Sequence, residues 1–163
     1  MKKIGRGALS VLVAIILIVL SSFVCLAGNT AQIEISTYKY DTTNEAYIPS
    51  SSFGIGETIV LSISFSDIAE CNVRGNSLSV TFDSDYLEFE AKNSICSVKD
   101  EKAVFLTNKE DNKANVVWDT TSMNTHFNGI VYYLKFLIKK DISEDKNVNF
   151  TMNVDELYES SNG

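Results

Sequence analysis

Apolar residues recur at every second position over much of the chain. The clearest case is residues 57–68, in which Ile59, Leu61, Ile63 and Phe65 alternate with mostly polar neighbours. Successive side chains of a β-strand point to opposite faces of a sheet, so this period of two predicts a strand with one buried face.

The same pattern predicts seven further strands, separated by polar turns. They cover residues 31–40, 76–83, 86–92, 102–108, 114–121, 129–140 and 147–154. Short strands of this kind are typical of an antiparallel β-sandwich, and we predict an all-β, jelly-roll-like sandwich. Residues 41–54, with the only proline and a serine triplet, are predicted to form a polar loop or insertion. No stretch after residue 27 is convincingly helical, and the one ambiguous piece, residues 155–160, could make a single turn.

The first residues have the composition of an export signal. Lys2, Lys3 and Arg6 precede a run of 16 residues of low polarity, residues 8–23, and small residues follow it. A basic start, an apolar run and small residues are typical of a secretory signal peptide. The run is shorter than the about 20 residues that cross a bilayer as a helix.

These features predict a leader, residues 1–27, that is cleaved after Ala27. An uncleaved anchor and a lipid-modified Cys25 are the alternatives. The remaining residues, 28–163, are enough for one domain with a sizeable core. We expect a secreted, extracellular protein of a bacterium, free or held at the cell surface, with no membrane association after cleavage.

The net charge of this domain argues against nucleic acid as a partner. Loss of the leader lowers the basic residues from 14 to 11 against 21 acidic ones, so the net charge falls from −7 to about −10. Such a surface repels phosphate backbones, and nucleic-acid binding is not expected.

The sequence has few candidates for catalytic residues or metal ligands. His126 is the only histidine, and no serine lies in a turn typical of a nucleophile, so we do not expect an enzyme. Residues 77–90 hold four carboxylates, and Asp83-Ser84-Asp85 has the start of a calcium loop. The later ligands and the glycine of that loop are missing, so we predict turn and surface acids and no metal site.

Two other features leave alternatives open. Cys71 and Cys96 would remain after cleavage, and in an oxidising compartment they are a candidate disulfide or two separate buried thiols. Trp118 lies in a short strand whose parity the sequence does not fix. An outward Trp118 in a planar row would favour carbohydrate binding, whereas an inward one would belong to the core.

Several stretches together resemble a cohesin module. Residues 56–68 are similar to its opening strand, and residues 71–90 to its hallmark, an alternating strand that ends in Phe82-Asp83, a turn, and Leu87-Glu88-Phe89. Residues 115–122, 127–140 and 157–163 resemble later segments in the same order. The turn lacks the usual proline. Members usually finish with one more strand, so either the chain is truncated or residues 31–40 and the insertion at residues 41–52 close the sheet differently.

This resemblance implies a non-catalytic module that binds a dockerin, a small helical domain with two calcium loops, and so recruits an enzyme to an extracellular polysaccharide-degrading complex of cellulosome type. No cofactor is expected in this chain, and Ca²⁺ is expected on the dockerin. The partner implied is a dockerin-bearing, carbohydrate-active enzyme. The partner-binding surface is implied to be one flat outer sheet face, carried over strand by strand to Gly75, Ser77, Ser79, Thr81, Asp119, Thr121, Val131, Tyr133, Lys135 and Leu137.

Two other functions suit a sandwich of this kind. One is a carbohydrate-binding module that binds plant-type polysaccharide. The other is an adhesin subunit whose open sheet edge accepts a strand from a partner.

Overall fold

The structure is a computed structural model, and it confirms the predicted antiparallel β-sandwich. It describes residues 15–19, 25–26, 29–30, 32–66, 73–97, 103–120, 131–140 and 148–159. The strands are β1 (Ile15–Val19), β2 (Cys25–Leu26), β3 (Asn29–Thr30), β4 (Gln32–Asp41), β5 (Ala46–Pro49), β6 (Thr58–Ser66), β7 (Val73–Phe82), β8 (Leu87–Phe89), β9 (Ile95–Cys96), β10 (Ala103–Glu110), β11 (Lys113–Thr120), β12 (Val131–Ile138) and β13 (Val148–Glu159). A single 3₁₀ turn, Ala91–Asn93, follows β8.

Two sheets pack face to face. Sheet A has the strand order β1–β13–β7–β11–β10, and sheet B has the order β5–β4–β6–β12–β8, with β9 also paired to β12. The pairing between β1 and β13 is parallel, and the other pairings of these two sheets are antiparallel. Along the chain, β6, β7 and β8 alternate between the sheets, as do β11, β12 and β13. Strands adjacent in sequence are therefore often on opposite sides of the core.

The alternating apolar residues form that core. Phe136 of β12 is fully buried, and its ring centroid lies 5.2 Å from that of Phe82 and 4.9 Å from that of Phe150, both in sheet A. Phe89 of β8 lies 5.1 Å away on the same sheet as Phe136. Phe136 therefore joins the two sheets at the centre of an aromatic cluster.

The predicted loop at residues 41–54 is wrong in part, because it contains β5. The Asp41 carboxylate accepts hydrogen bonds from the backbone N–H groups of Thr43 and Asn44 and from the Asn44 side chain, which closes a turn that ends at Glu45 with φ of 50°. The chain then pairs with β4 from Ala46 to Pro49. Pro49 is tolerated because β5 is the edge strand of sheet B.

The ambiguous stretch at residues 155–160 forms strand and not a helical turn as far as Glu159. β13 continues through Glu159, and irregularities in its pairing with β7 lie between Val154 and Glu156 and between Tyr158 and Glu159. A β-bulge keeps a strand paired when its alternation shifts by one residue. Because of this shift, the period of two that residues 147–154 show does not continue into the C-terminal part of β13.

Part of the predicted leader is paired in the structure. β1 runs beside β13, with Ile15 opposite Val148 and Val19 opposite Met152. β2 pairs with β3 across the predicted cleavage point. Cleavage and the domain limits drawn from it stay predictions. Within the described ranges, no helix is long and apolar enough to cross a membrane.

A buried polar pair also joins the sheets. The Tyr132 hydroxyl of β12 donates a hydrogen bond of 3.0 Å to Asn76 Oδ1 of β7, and both residues are fully buried. Burial raises the pKa of Tyr132 above its ordinary value, against the smaller opposing effect of the Asn76 hydrogen bond. The phenol therefore stays protonated and keeps its donor role.

Tyr132→Phe is expected to lower the free energy of unfolding by about 1–3 kcal/mol, because it leaves Asn76 Oδ1 buried without its donor. Replacing both partners, Tyr132→Phe with Asn76→Leu, is expected to recover most of that loss, since no buried polar atom of the pair then remains. Urea denaturation followed by Trp118 fluorescence measures both. If the loss in the double variant equals the sum of the losses in Tyr132→Phe alone and Asn76→Leu alone, the coupling is contradicted.

Candidate partner-binding face

The residues assigned to one binding face lie on two opposite faces, so the predicted surface is wrong as a single patch. Gly75, Ser77, Ser79 and Thr81 of β7 and Asp119 of β11 belong to the outer face of sheet A, called face A. Val131, Tyr133, Lys135 and Leu137 of β12 belong to the outer face of sheet B, called face B. The core lies between the two sets. Thr121 is outside the described residues.

Four of the five strands of sheet A carry the regular rows of face A. One row runs Asn108, Asn115, Ser79, Asn153 across β10, β11, β7 and β13, and a second begins Leu106, Val117, Ser77. Adjacent strands lie about 4.8 Å apart, so the four span about 14 Å. An α-helix with its side chains has a diameter of about 10–12 Å, which is close to that width.

The predicted residues of face A differ in accessibility. Gly75 and Ser79 are buried even though their positions are outward, with Ser79 only 1% exposed. The Ser79 hydroxyl donates a 3.4 Å hydrogen bond to Asp155 at the irregularity in β13. Ser77 and Thr81 are half-buried, and Asp119 is exposed. Ser79 therefore supports the face, and Ser77, Thr81 and Asp119 are the members that a partner can touch.

Face A also carries an apolar patch that the sequence analysis missed. Leu106 is 60% exposed, Val104 50% and Val117 36%, and Leu106 lies directly opposite Val117 in the β10–β11 ladder. The signal was present, because Ala103–Leu106 is apolar at consecutive positions and a strand of that kind is apolar on both faces. The other exposed aliphatic side chains of the described residues, Ile48, Ile55 and Ile95, lie elsewhere.

Face B is occupied by its own aromatic residues. Tyr47 of β5 stacks on Tyr133 with centroids 4.6 Å apart and also contacts Tyr40 at 5.4 Å. The Lys135 ammonium lies 4.6 Å from the centroid of the Tyr40 ring. Val60, an outward residue of β6, is fully buried on this side. Tyr133 is therefore committed to contacts within the chain and is a poor anchor for a partner.

Asp83 and its neighbours form the turn that the sequence predicted. Asp83 Oδ1 accepts a hydrogen bond of 3.2 Å from the backbone N–H of Asp85, and its carbonyl accepts from the N–H groups of Tyr86 and Leu87. Within the described ranges, no group of three or more His, Cys, Asp or Glu side chains is placed to hold a metal ion.

The remaining candidates divide between the core and the undescribed residues. Trp118 is fully buried, which removes the planar aromatic row expected of a carbohydrate-binding module. Cys96 lies on β9, is half-buried and pairs with Tyr132 of β12. Cys71 and His126 lie outside the described residues, so the Cys71–Cys96 disulfide stays a prediction.

A two-sheet antiparallel sandwich with one open, partly apolar sheet face defines a class of small β-modules. Within that class, the cohesin domain model matches residues 45–160. The chain belongs to the cohesin family. A search of curated proteins finds no significant match.

Three solved structures are similar at low identity. A complex of a CaDoc0917 variant with CaCohA2 gives 16% identity and a TM-score of 0.47 over 64% of this chain and 77% of that one. The Coh-OlpA–Doc918 complex, a type I cohesin–dockerin complex from Clostridium thermocellum, gives 11% and 0.45 over 74% and 97%. A non-cellulosomal cohesin from the hyperthermophilic archaeon Archaeoglobus fulgidus gives 17% and 0.38 over 61% and 79%.

Proposed function

We propose that this protein is a non-catalytic receptor that binds a dockerin module through face A. The observation that carries the proposal is the contiguous exposed patch of Val104, Leu106 and Val117 on the outer face of sheet A, in a chain of the cohesin family. Isolated exposed aliphatic residues are ordinary, whereas adjacent ones mark an interaction surface.

The two parts of face A suit a helical partner in different ways. The apolar patch supplies area that a partner's aliphatic or aromatic side chains remove from water, which is worth about 25 cal/mol per Å². Ser77, Thr81 and Asn115 have short side chains, so a helix can lie close to the sheet and hydrogen-bond to them. Asp119, exposed beside the patch, favours a basic residue on the partner.

The setting of this binding is part of the same proposal. The predicted leader supports secretion, and the acidic surface suits a soluble extracellular protein. The partner is a dockerin attached to a carbohydrate-active enzyme, in an assembly of cellulosome type. Calcium belongs to the dockerin, since a dockerin holds its own calcium loops.

Calorimetric titration of the purified protein with a panel of dockerins from the same genome tests the proposal. We expect binding of one dockerin per chain, tighter than about 1 μM and lost in EDTA. A folded protein that binds none of the panel, in calcium or without it, would contradict the dockerin receptor.

A further inference from the structure

Face B ends in a cleft that the proposed function does not use. It has a volume of about 390 Å³, lies between β4, β6, β12 and the 3₁₀ turn, and is lined by Lys39, Tyr40, Glu57, Glu90, Asn93 and Lys135, among others. Small-molecule sites have volumes of about 300–1,000 Å³ and combine aromatic walls with a few fixed polar groups. The cleft is on the opposite side of the core from face A.

The polar side chains of the cleft are held in place by one another. The Glu57 carboxylate forms a salt bridge of 2.7 Å with the Lys39 ammonium and accepts a hydrogen bond from the Gly54 backbone N–H. Gly54 and Glu57 are the ends of a turn that contains Gly56 at φ of 80°. Glu90 accepts hydrogen bonds from Asn93 Nδ2 at 3.0 Å and from the Thr58 hydroxyl at 3.3 Å. Each carboxylate can accept about four hydrogen bonds, so both keep acceptor capacity towards the cleft.

Charge decides what kind of ligand suits these groups. The lining contains two ammonium groups, Lys39 and Lys135, and two carboxylates, Glu57 and Glu90, so it has both donors and acceptors and no net charge. An anion would meet the carboxylates and a cation the ammonium groups. A neutral polyhydroxyl compound matches both, because each hydroxyl donates one hydrogen bond and accepts two.

Aromatic rings continue from the cleft along face B. Tyr40 forms a wall of the cleft, Tyr47 follows at a centroid distance of 5.4 Å, and Tyr133 stacks on Tyr47 at 4.6 Å. Tyrosine offers an apolar ring and a polar hydroxyl, which suits the alternating C–H and O–H surface of a sugar. A sugar in the cleft can therefore contact Tyr40 directly, while the facing sides of Tyr47 and Tyr133 are occupied by each other.

We propose that this cleft is a binding site for a neutral oligosaccharide. The site is independent of dockerin binding, because it lies on the sheet opposite face A. It also differs from the planar row built on Trp118, which is buried in the core.

Nuclear magnetic resonance titration of the purified protein with cellopentaose, xylopentaose and mannopentaose tests this site, with trigalacturonate as the anionic comparison. We expect saturable binding of at least one neutral pentasaccharide, with a Kd of about 0.1–1 mM, and weaker binding of trigalacturonate. Glu90→Gln is expected to weaken the neutral ligand about tenfold, because it removes a charged acceptor from the cleft.

Matched variants separate the cleft from general effects. Glu88→Gln changes an exposed carboxylate two residues away, and Lys92→Met changes an exposed ammonium outside the cleft, so both are expected to leave the Kd unchanged. Lys135→Met is expected to weaken binding as Glu90→Gln does, and none of the four variants should alter dockerin binding. Failure of all three neutral sugars to bind, equal or tighter binding of trigalacturonate, or equal effects of Glu90→Gln and Glu88→Gln would overturn the proposal.

Discussion

Phe136→Ala is expected to lower the free energy of unfolding by about 3–5 kcal/mol. Phe136 is fully buried and its ring contacts Phe82 and Phe150 across the sheet interface and Phe89 within its own sheet. Removing the ring takes away buried apolar area and leaves a cavity that β-strands on both sides cannot close. Whole domains are stable by only about 5–15 kcal/mol, so the variant should be close to unfolding.

Guanidinium denaturation followed by Trp118 fluorescence measures this loss, because Trp118 is the only tryptophan and is buried. The matched control is Ile95→Ala, which truncates a side chain of sheet B that is 46% exposed and should cost less than about 1 kcal/mol. Similar losses in the two variants would contradict the position of Phe136 at the sheet interface.

Replacing Leu106 and Val117 together by alanine is expected to weaken dockerin binding by about 2–4 kcal/mol, or about 30- to 1,000-fold in Kd. The two side chains lie directly opposite each other and are 60% and 36% exposed. They are therefore available to a partner in the free protein. Because they contribute little to the core, the variant should keep its stability while it loses affinity.

Ile48→Ala with Ile95→Ala is the matched control, since it removes two exposed aliphatic side chains that lie on strands of sheet B. Isothermal calorimetry with the same dockerin should give an unchanged Kd for this control. Equal weakening by both double variants would mean that the apolar patch of face A is not the anchor.

The sequence predicted the fold well where burial is one-sided. Residues such as Ile59, Leu61 and Ile63 show a period of two because one side of β6 faces the core. It failed at β5, where a short edge strand has too few residues for the pattern, and in the C-terminal part of β13, where an irregularity at Asp155 shifts the alternation. Both failures are local effects of pairing that a periodicity does not record.

The candidate site was predictable only in part, for a different reason. The alternation of apolar and polar residues along a strand predicts that Ser77 and Tyr133 point outward. It does not predict which sheet each strand joins. β7 and β12 join different sheets, so their outward residues lie on opposite sides of the molecule. The cover over Tyr133 depends on Tyr47, which the β4–β5 hairpin brings close although the two residues are far apart in sequence.

The central claim is that a dockerin docks on face A and leaves face B free. Comparing Ser77→Arg with Ser64→Arg tests it most directly, because each places the same long cation at a half-buried outward position, on β7 of sheet A and on β6 of sheet B. With calorimetric titration of one dockerin, Ser77→Arg is expected to weaken binding at least about 100-fold and Ser64→Arg by less than about twofold. Loss of binding on Ser64→Arg, with Ser77→Arg unaffected, would contradict the account and assign the partner to face B.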